Sequence, residues 1–187
     1  MAMPTMRRNW TVDDLLDLPD DGNRYEVLDG ELLVTPAPSL DHQRAVLELT
    51  RLLSDYLATD RVGEAIISPA DVTFSPRRLV QPDVFVIPFA DTGRKASRFV
   101  DVGRLLLAVE ILSPSTARAD RVKKRRVYRE EGVPEYWIVD LDARAIERST
   151  PADDRVDVLS EQIEWIPVGA RSALRIDIAD YFRIVLD

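Results

Sequence analysis

Two acidic residues stand in strand-like runs that otherwise carry no charge. Glu110 interrupts the apolar run Leu105–Leu112, and Asp83, behind Pro82, opens the run from Val84 to Pro88. A carboxylate in a buried strand costs several kcal/mol unless something pairs with it. Two carboxylates on neighbouring strands can converge on one hard divalent cation, Mg²⁺ or Mn²⁺, whose preferred ligands are oxygens. Such an ion polarises a phosphodiester, lowers the pKa of a bound water and stabilises the leaving oxygen. A nearby lysine would orient that water and offset developing negative charge.

The elements that must position these groups are legible in outline. Thr11–Leu18 suggests a short helix, with Thr11 as its cap and Pro19 beyond its end. Arg24–Leu28 and Glu31–Val34 flank Asp29-Gly30, a pair suited to a type I′ turn, so a β-hairpin is expected. Glu26 alternates with Tyr25 and Val27 there and is compatible with either a solvent-facing or a site position. Ser39 or Asp41 can cap a helix over 41–58, where Val46, Leu49, Leu53, Tyr56 and Leu57 recur at helical spacing. His42, the only histidine, lies in its first turn, and Glu48 reads as part of its exposed face. Strands follow at 65–67 and 71–74, then a turn at Pro76 and two arginines, then the strand opened by Asp83. The segment 90–102 reads as a polar loop.

The run holding Glu110 ends in Ser113-Pro114-Ser115-Thr116. A helix over 117–131 is expected behind it, stopped at Gly132. Asp120, Lys124 and Tyr128, spaced i, i+4, i+8, share one side of that helix. It carries six cations in nine residues: Arg121, Lys123, Lys124, Arg125, Arg126 and Arg129. A run of this kind is ordinarily a solvated face. Glu135–Asp140 reads as strand. Runs at 143–148 and 156–166 suggest a terminal antiparallel meander, followed by a strand at 172–178 and a turn of helix at 178–182.

Composition bounds the function. A chain of 187 residues fits a single domain over 1–187 with a sizeable core. With no cysteine, disulfides, thiolate nucleophiles and zinc–sulfur sites are excluded. No window is apolar enough to span a membrane, and no apolar stretch follows Arg7 and Arg8, so a cytoplasmic protein without a signal peptide is expected. A net charge of −8 argues against a surface coated for non-specific nucleic-acid binding, though not against a local basic face.

The ordered set of segments resembles the Uma2 family (formerly DUF820) of restriction-endonuclease-like proteins, within the PD-(D/E)XK nuclease superfamily. The matching stretches are RYEVLDGEL (24–32), the proline-rich turn leading to His42, QPDVFV (81–86), VEILSPST (109–116), the Asp120/Lys124/Tyr128 spacing and GVPEYWIVD (132–140). PD alone is a weak motif; the whole series, covering about 24–140, is specific. The resemblance implies an α/β (α+β) fold: an αβββαβ core with a mixed central sheet, an N-terminal β-hairpin and C-terminal antiparallel strands. It implies a Mg²⁺- or Mn²⁺-dependent endonuclease acting on DNA, with Asp83 and Glu110 as catalytic metal ligands.

One departure stands out. The superfamily usually places lysine two residues after the strand carboxylate, and here that position is Leu112. Lys124, from the following helix, matches the family's motif and is expected to replace it; Lys123 points about 100° away. Glu26, His42, Asp120 and Tyr128 match family positions and are expected to support the site. Arg121, Lys123 and Arg125 are candidates for contact with DNA phosphates. A homodimer suits a protein that cuts two strands. The alternative is a catalytically inactive nuclease fold retained for DNA binding or protein interaction. A third reading is a structural dimer module using Trp10 or Trp165.

Overall fold

The computed structural model describes residues 9–89 and 104–187. The expected loop over 90–102 and the pair Arg7 and Arg8 lie outside these residues. The hairpin forms as its turn residues require. β1 (Arg24–Leu28) and β2 (Glu31–Thr35) pair antiparallel, and Asp29 and Gly30 both take positive φ, 52° and 82°. The helix α1 (Leu40–Asp60) starts at Ser39, whose hydroxyl accepts from the His42 N–H at 3.2 Å. Then come β3 (Gly63–Ile67), β4 (Val72–Ser75), β5 (Arg78–Val80), β6 (Val84–Pro88) and β7 (Leu107–Ile111). A π-helical segment, Ala119–Lys124, runs into α2 (Arg125–Glu130). The chain ends with β8 (Tyr136–Asp140), β9 (Ala145–Thr150), β10 (Asp153–Leu159), β11 (Gln162–Trp165), β12 (Leu174–Asp177) and α3 (Ile178–Leu186).

The central sheet has the order β10-β9-β8-β7-β6-β3. It is mixed: β7 and β8 run parallel, joined by the α2 crossover, and the other pairs are antiparallel. Alternation sorts its side chains between two cores. Val84, Val86, Leu107, Val109, Ile111 and Val139 face α1 (Leu49, Leu53, Leu57) and α3. Phe85, Ile87, Ala108 and Ile138 face Val127 and Tyr128 of α2. Fully burying each such aliphatic side chain contributes about 1.5–3 kcal/mol, so both faces are strongly held.

Several expectations change. The N-terminal helix is a 3₁₀ turn, Asp13–Asp17, and Thr11 does not cap it; the Thr11 N–H and hydroxyl instead donate to the Asp14 carboxylate, both at 2.8 Å. Of the two arginines read with Pro76 as a turn, Arg77 lies in that turn and Arg78 opens a strand. Arg78 begins β5, which joins β1 and β4 in a second sheet ordered β2-β1-β5-β4. Arg78 pairs with Asp29 and Glu131, each at 2.6 Å, and with Glu130, so the hairpin turn is tied to the end of α2. The run 156–166 divides into β10 and β11, and β11 leaves the large sheet to pair with β12. Trp165, expected to be exposed, is buried in the α1-side core.

The expected helix over 117–131 contains a wider turn. The Arg125 N–H bonds to the Asp120 carbonyl, and the Tyr136 hydroxyl donates to the same carbonyl at 3.1 Å. A side chain bonded into the ladder is a recognised cause of such widening, and π-turns concentrate at functional sites. In a pure α-helix, residues i and i+8 drift apart by about 80°. The wide turn advances less per residue and offsets that drift, so Asp120, Lys124 and Tyr128 reach one place.

Candidate active site

The ladder between β6 and β7 pairs Val84 with Val109 and stops there. One step further Asp83 lies across from Glu110, and side chain replaces backbone as acceptor: the Ile111 N–H donates to Asp83 Oδ2 at 2.8 Å. Oδ2 also takes His42 Nε2, at 3.0 Å, from the first turn of α1. Oδ1 takes Arg24 Nη1, at 2.6 Å, from the start of β1. A carboxylate has no proton to give, so Nε2 is the protonated nitrogen of His42. Burial raises the Asp83 pKa, but the His42 bond and the charges of His42, Arg24 and Lys124 outweigh it and hold the group at about 2.

This makes a prediction with a definite sign. The folded pKa lies below the ordinary 3.8, so as pH falls the unfolded chain takes up its proton first. The stabilisation is complete above about pH 5 and is mostly lost by about pH 2; its pH-dependent part is about 2 kcal/mol. Urea midpoints of wild type and Asp83→Asn should therefore converge as pH falls from 5 toward 2. A gap that stays constant would contradict the assignment.

Glu110 follows Ala108 by two and so faces α2. There Lys124 Nζ lies 2.9 Å from Glu110 Oε1, 2.9 Å from Glu26 Oε2 and 3.6 Å from Asp120 Oδ1. The Tyr128 hydroxyl donates to the same Glu110 oxygen at 3.1 Å. Glu26, read as open to water or site, is buried; its other oxygen accepts the Gln81 N–H at 2.7 Å. Four buried carboxylates (Glu26, Asp83, Glu110 and Asp120) thus face Arg24, Lys124 and His42. Burial raises Glu110 well above the ordinary carboxylate range; Lys124 opposes this, and Asp120, Asp83 and Glu26 reinforce it. Burial likewise raises Asp120. Burial works against the Lys124 ammonium, but Glu110, Glu26 and Asp120 more than offset it, so its pKa is raised and it stays charged.

Arg24, His42, Asp83, Glu110, Asp120 and Lys124 all line one cavity of about 820 Å³, walled on one side by the turn from Ser113 to Thr116. Glu26 and Tyr128 do not line it; they stand behind Lys124 and Glu110 and position them. Of the expected phosphate contacts, only Arg121 lines this cavity, held by Asp140 at 2.7 Å and by Glu147. Lys123 pairs with Glu31, and Arg125 lines a separate hollow of about 270 Å³ with Arg129 and Tyr136. These two do not extend the site. Glu48, read as exposed, is half-buried and pairs with Arg51.

Arg24 is the residue that motif reading passed over. Its signal was alternation: Arg24, Glu26 and Leu28 share one face of β1, so a buried Glu26 brings Arg24 inward with it.

A mixed sheet with acidic strand ends, helix α1 on one face and the α2 crossover on the other, defines a restriction-endonuclease-like α/β fold. The crystal structure of a protein described as "a putative nuclease belonging to DUF820", from Anabaena variabilis ATCC 29413, is similar, with a TM-score of 0.77 at 22% identity, covering 94% of this chain and 99% of that one. The model of the Uma2 family, described as "Putative restriction endonuclease", matches residues 12–171. The chain belongs to the Uma2 family. No curated protein matches it.

Proposed function

We propose that this chain is a Mg²⁺- or Mn²⁺-dependent endodeoxyribonuclease that hydrolyses DNA phosphodiester bonds in the cytoplasm. The observation that carries this reading is Asp83 and Glu110 facing one cavity from adjacent strands, with Lys124 Nζ 2.9 Å from Glu110. The donor set suits a hard cation. Among the described residues Asp83 Oδ1 accepts only from Arg24, no donor reaches Glu110 Oε2, and Asp120 Oδ1 makes no hydrogen bond but faces the Lys124 ammonium at 3.6 Å. Asp83 and Glu110 would hold the ion; bound there, it would polarise the phosphodiester and acidify a water.

The chain's own groups have distinct tasks. Lys124, whose charged form Glu110, Glu26 and Asp120 favour, supplies positive charge where negative charge develops. Glu26 and Tyr128 fix the Lys124–Glu110 pair, and His42 fixes Asp83. Arg24 and Arg121 bring positive charge to the cavity, where a phosphate would enter. Cutting both strands takes two such cavities, which a homodimer supplies.

The test is incubation with supercoiled plasmid and Mg²⁺. Wild type should nick the plasmid, and Asp83→Ala and Glu110→Ala should lose that activity. Equal nicking by all three proteins would place the activity elsewhere.

One observation favours a second reading, an inert fold kept for binding. Among the described residues, no three His, Asp or Glu side chains form a ready-made cation cage. Calorimetry separates the two: Mn²⁺ binding that Asp83→Asn abolishes eliminates the inert fold.

A further inference from the structure

Arg24 uses its guanidinium in an unusual way. It gives Asp83 one hydrogen bond, Nη1 to Oδ1, where arginine and carboxylate usually meet through two parallel bonds. Among the described residues its Nε is buried with no hydrogen-bond partner. Leaving such a donor unmade costs about 1–3 kcal/mol, a cost a purely structural arginine would be expected to avoid. The side chain also lines the cavity. Meanwhile Asp83 Oδ2 is filled by His42 and the Ile111 N–H, so Oδ1 is the oxygen left for any further ligand. Arg24 stands on it.

We propose that Arg24 is a placeholder: it neutralises Asp83 Oδ1 while no divalent cation is bound, and turns its fork to a substrate phosphate when one is. The inference rests on the metal-dependent reading above. It makes Arg24 a substrate-positioning residue whose phosphate contact is switched on by the cation. A guanidinium suits both duties, since it stays charged and its donors match carboxylate and phosphate oxygens alike.

The test reads cation binding and DNA binding separately. Mn²⁺ titrated calorimetrically into Arg24→Gln without DNA should bind about tenfold more tightly than into wild type, because a charge-assisted bond no longer competes for Oδ1. Arg121→Gln removes a cation that lines the same cavity without touching Asp83, and should tighten Mn²⁺ binding distinctly less. In DNA binding with Ca²⁺ as the probe ion, the log–log salt slope of Arg24→Gln should be shallower than wild type by about 0.9, one phosphate contact. Without Ca²⁺ the slopes should coincide. Unchanged or weaker Mn²⁺ binding in Arg24→Gln overturns the placeholder, as does equal tightening in Arg121→Gln or a slope loss independent of Ca²⁺. Should Arg24→Gln fail to fold, Arg24→Met, a stem of similar bulk without the charge, must still tighten Mn²⁺ binding or the proposal falls. A wild type that binds neither ion would instead defeat the metal-dependent reading itself.

Discussion

Lys124→Met should lose about 10²–10³-fold in plasmid nicking and about 3–5 kcal/mol of stability together. The two losses have one origin. The ammonium is the shared counterion of Glu26, Glu110 and Asp120, and all four groups are buried. Removing one partner of a buried ion cluster leaves charge that burial cannot tolerate, whereas removing charge from both sides is far less costly. Adding Glu110→Gln to Lys124→Met should therefore recover much of the stability, read as the urea midpoint, while nicking stays absent. A Lys124→Met protein as stable as wild type would show that the ammonium is not the cluster's counterion. Undiminished nicking would remove it from the reaction.

Leu112→Lys placed in the Lys124→Met background should restore at least about tenfold of the lost nicking, about 1.4 kcal/mol of the barrier. Leu112 follows Glu110 by two, so it shares that residue's face; it lines the same cavity and packs at the edge of the α2-side core. A lysine stem there can lie along apolar surface and deliver its ammonium to the carboxylates that Lys124 serves. What the chemistry needs is a charge at a point in space, whichever element supplies it. If the double variant folds and its nicking equals that of Lys124→Met alone, the two positions are not interchangeable and the helix contributes more than a charge.

The sequence was informative where a single physical rule dominates. Asp29-Gly30 set the hairpin because few residues accept positive φ twice in succession, and the five apolar residues of α1 left little choice of face. Glu110 and Asp83 stood out because their neighbours are apolar. Lys124 was preferred to Lys123 on helical direction, and the structure separates them in the same sense, Lys124 toward Glu110 and Lys123 toward Glu31. The failures lie where distant partners decide. Arg78 resembles a turn residue until Asp29, Glu130 and Glu131 surround it. Arg24 gains its meaning only from Asp83, 59 residues away. The cationic run looked like one surface, yet Arg121, Lys123, Arg126 and Arg129 each pair with a different acidic neighbour. Local pattern carries no signal for such pairings.

The wide turn in the crossover helix also governs where this chain can change length. Between Asp120 and Tyr128 every residue counts toward a phase: deleting one there would rotate everything downstream by about 100° relative to the sheet, parting Tyr128 from Glu110 or Lys124 from Glu26. In the turn from Ser113 to Thr116 an added residue shifts the helix start, and a wall of the cavity gives way before the cluster does. Insertions and deletions compatible with the site therefore belong outside the stretch from Ser113 to Gly132. The span from Asp120 to Tyr128 acts as a ruler of fixed count, and its one widened turn is what makes that count come out right.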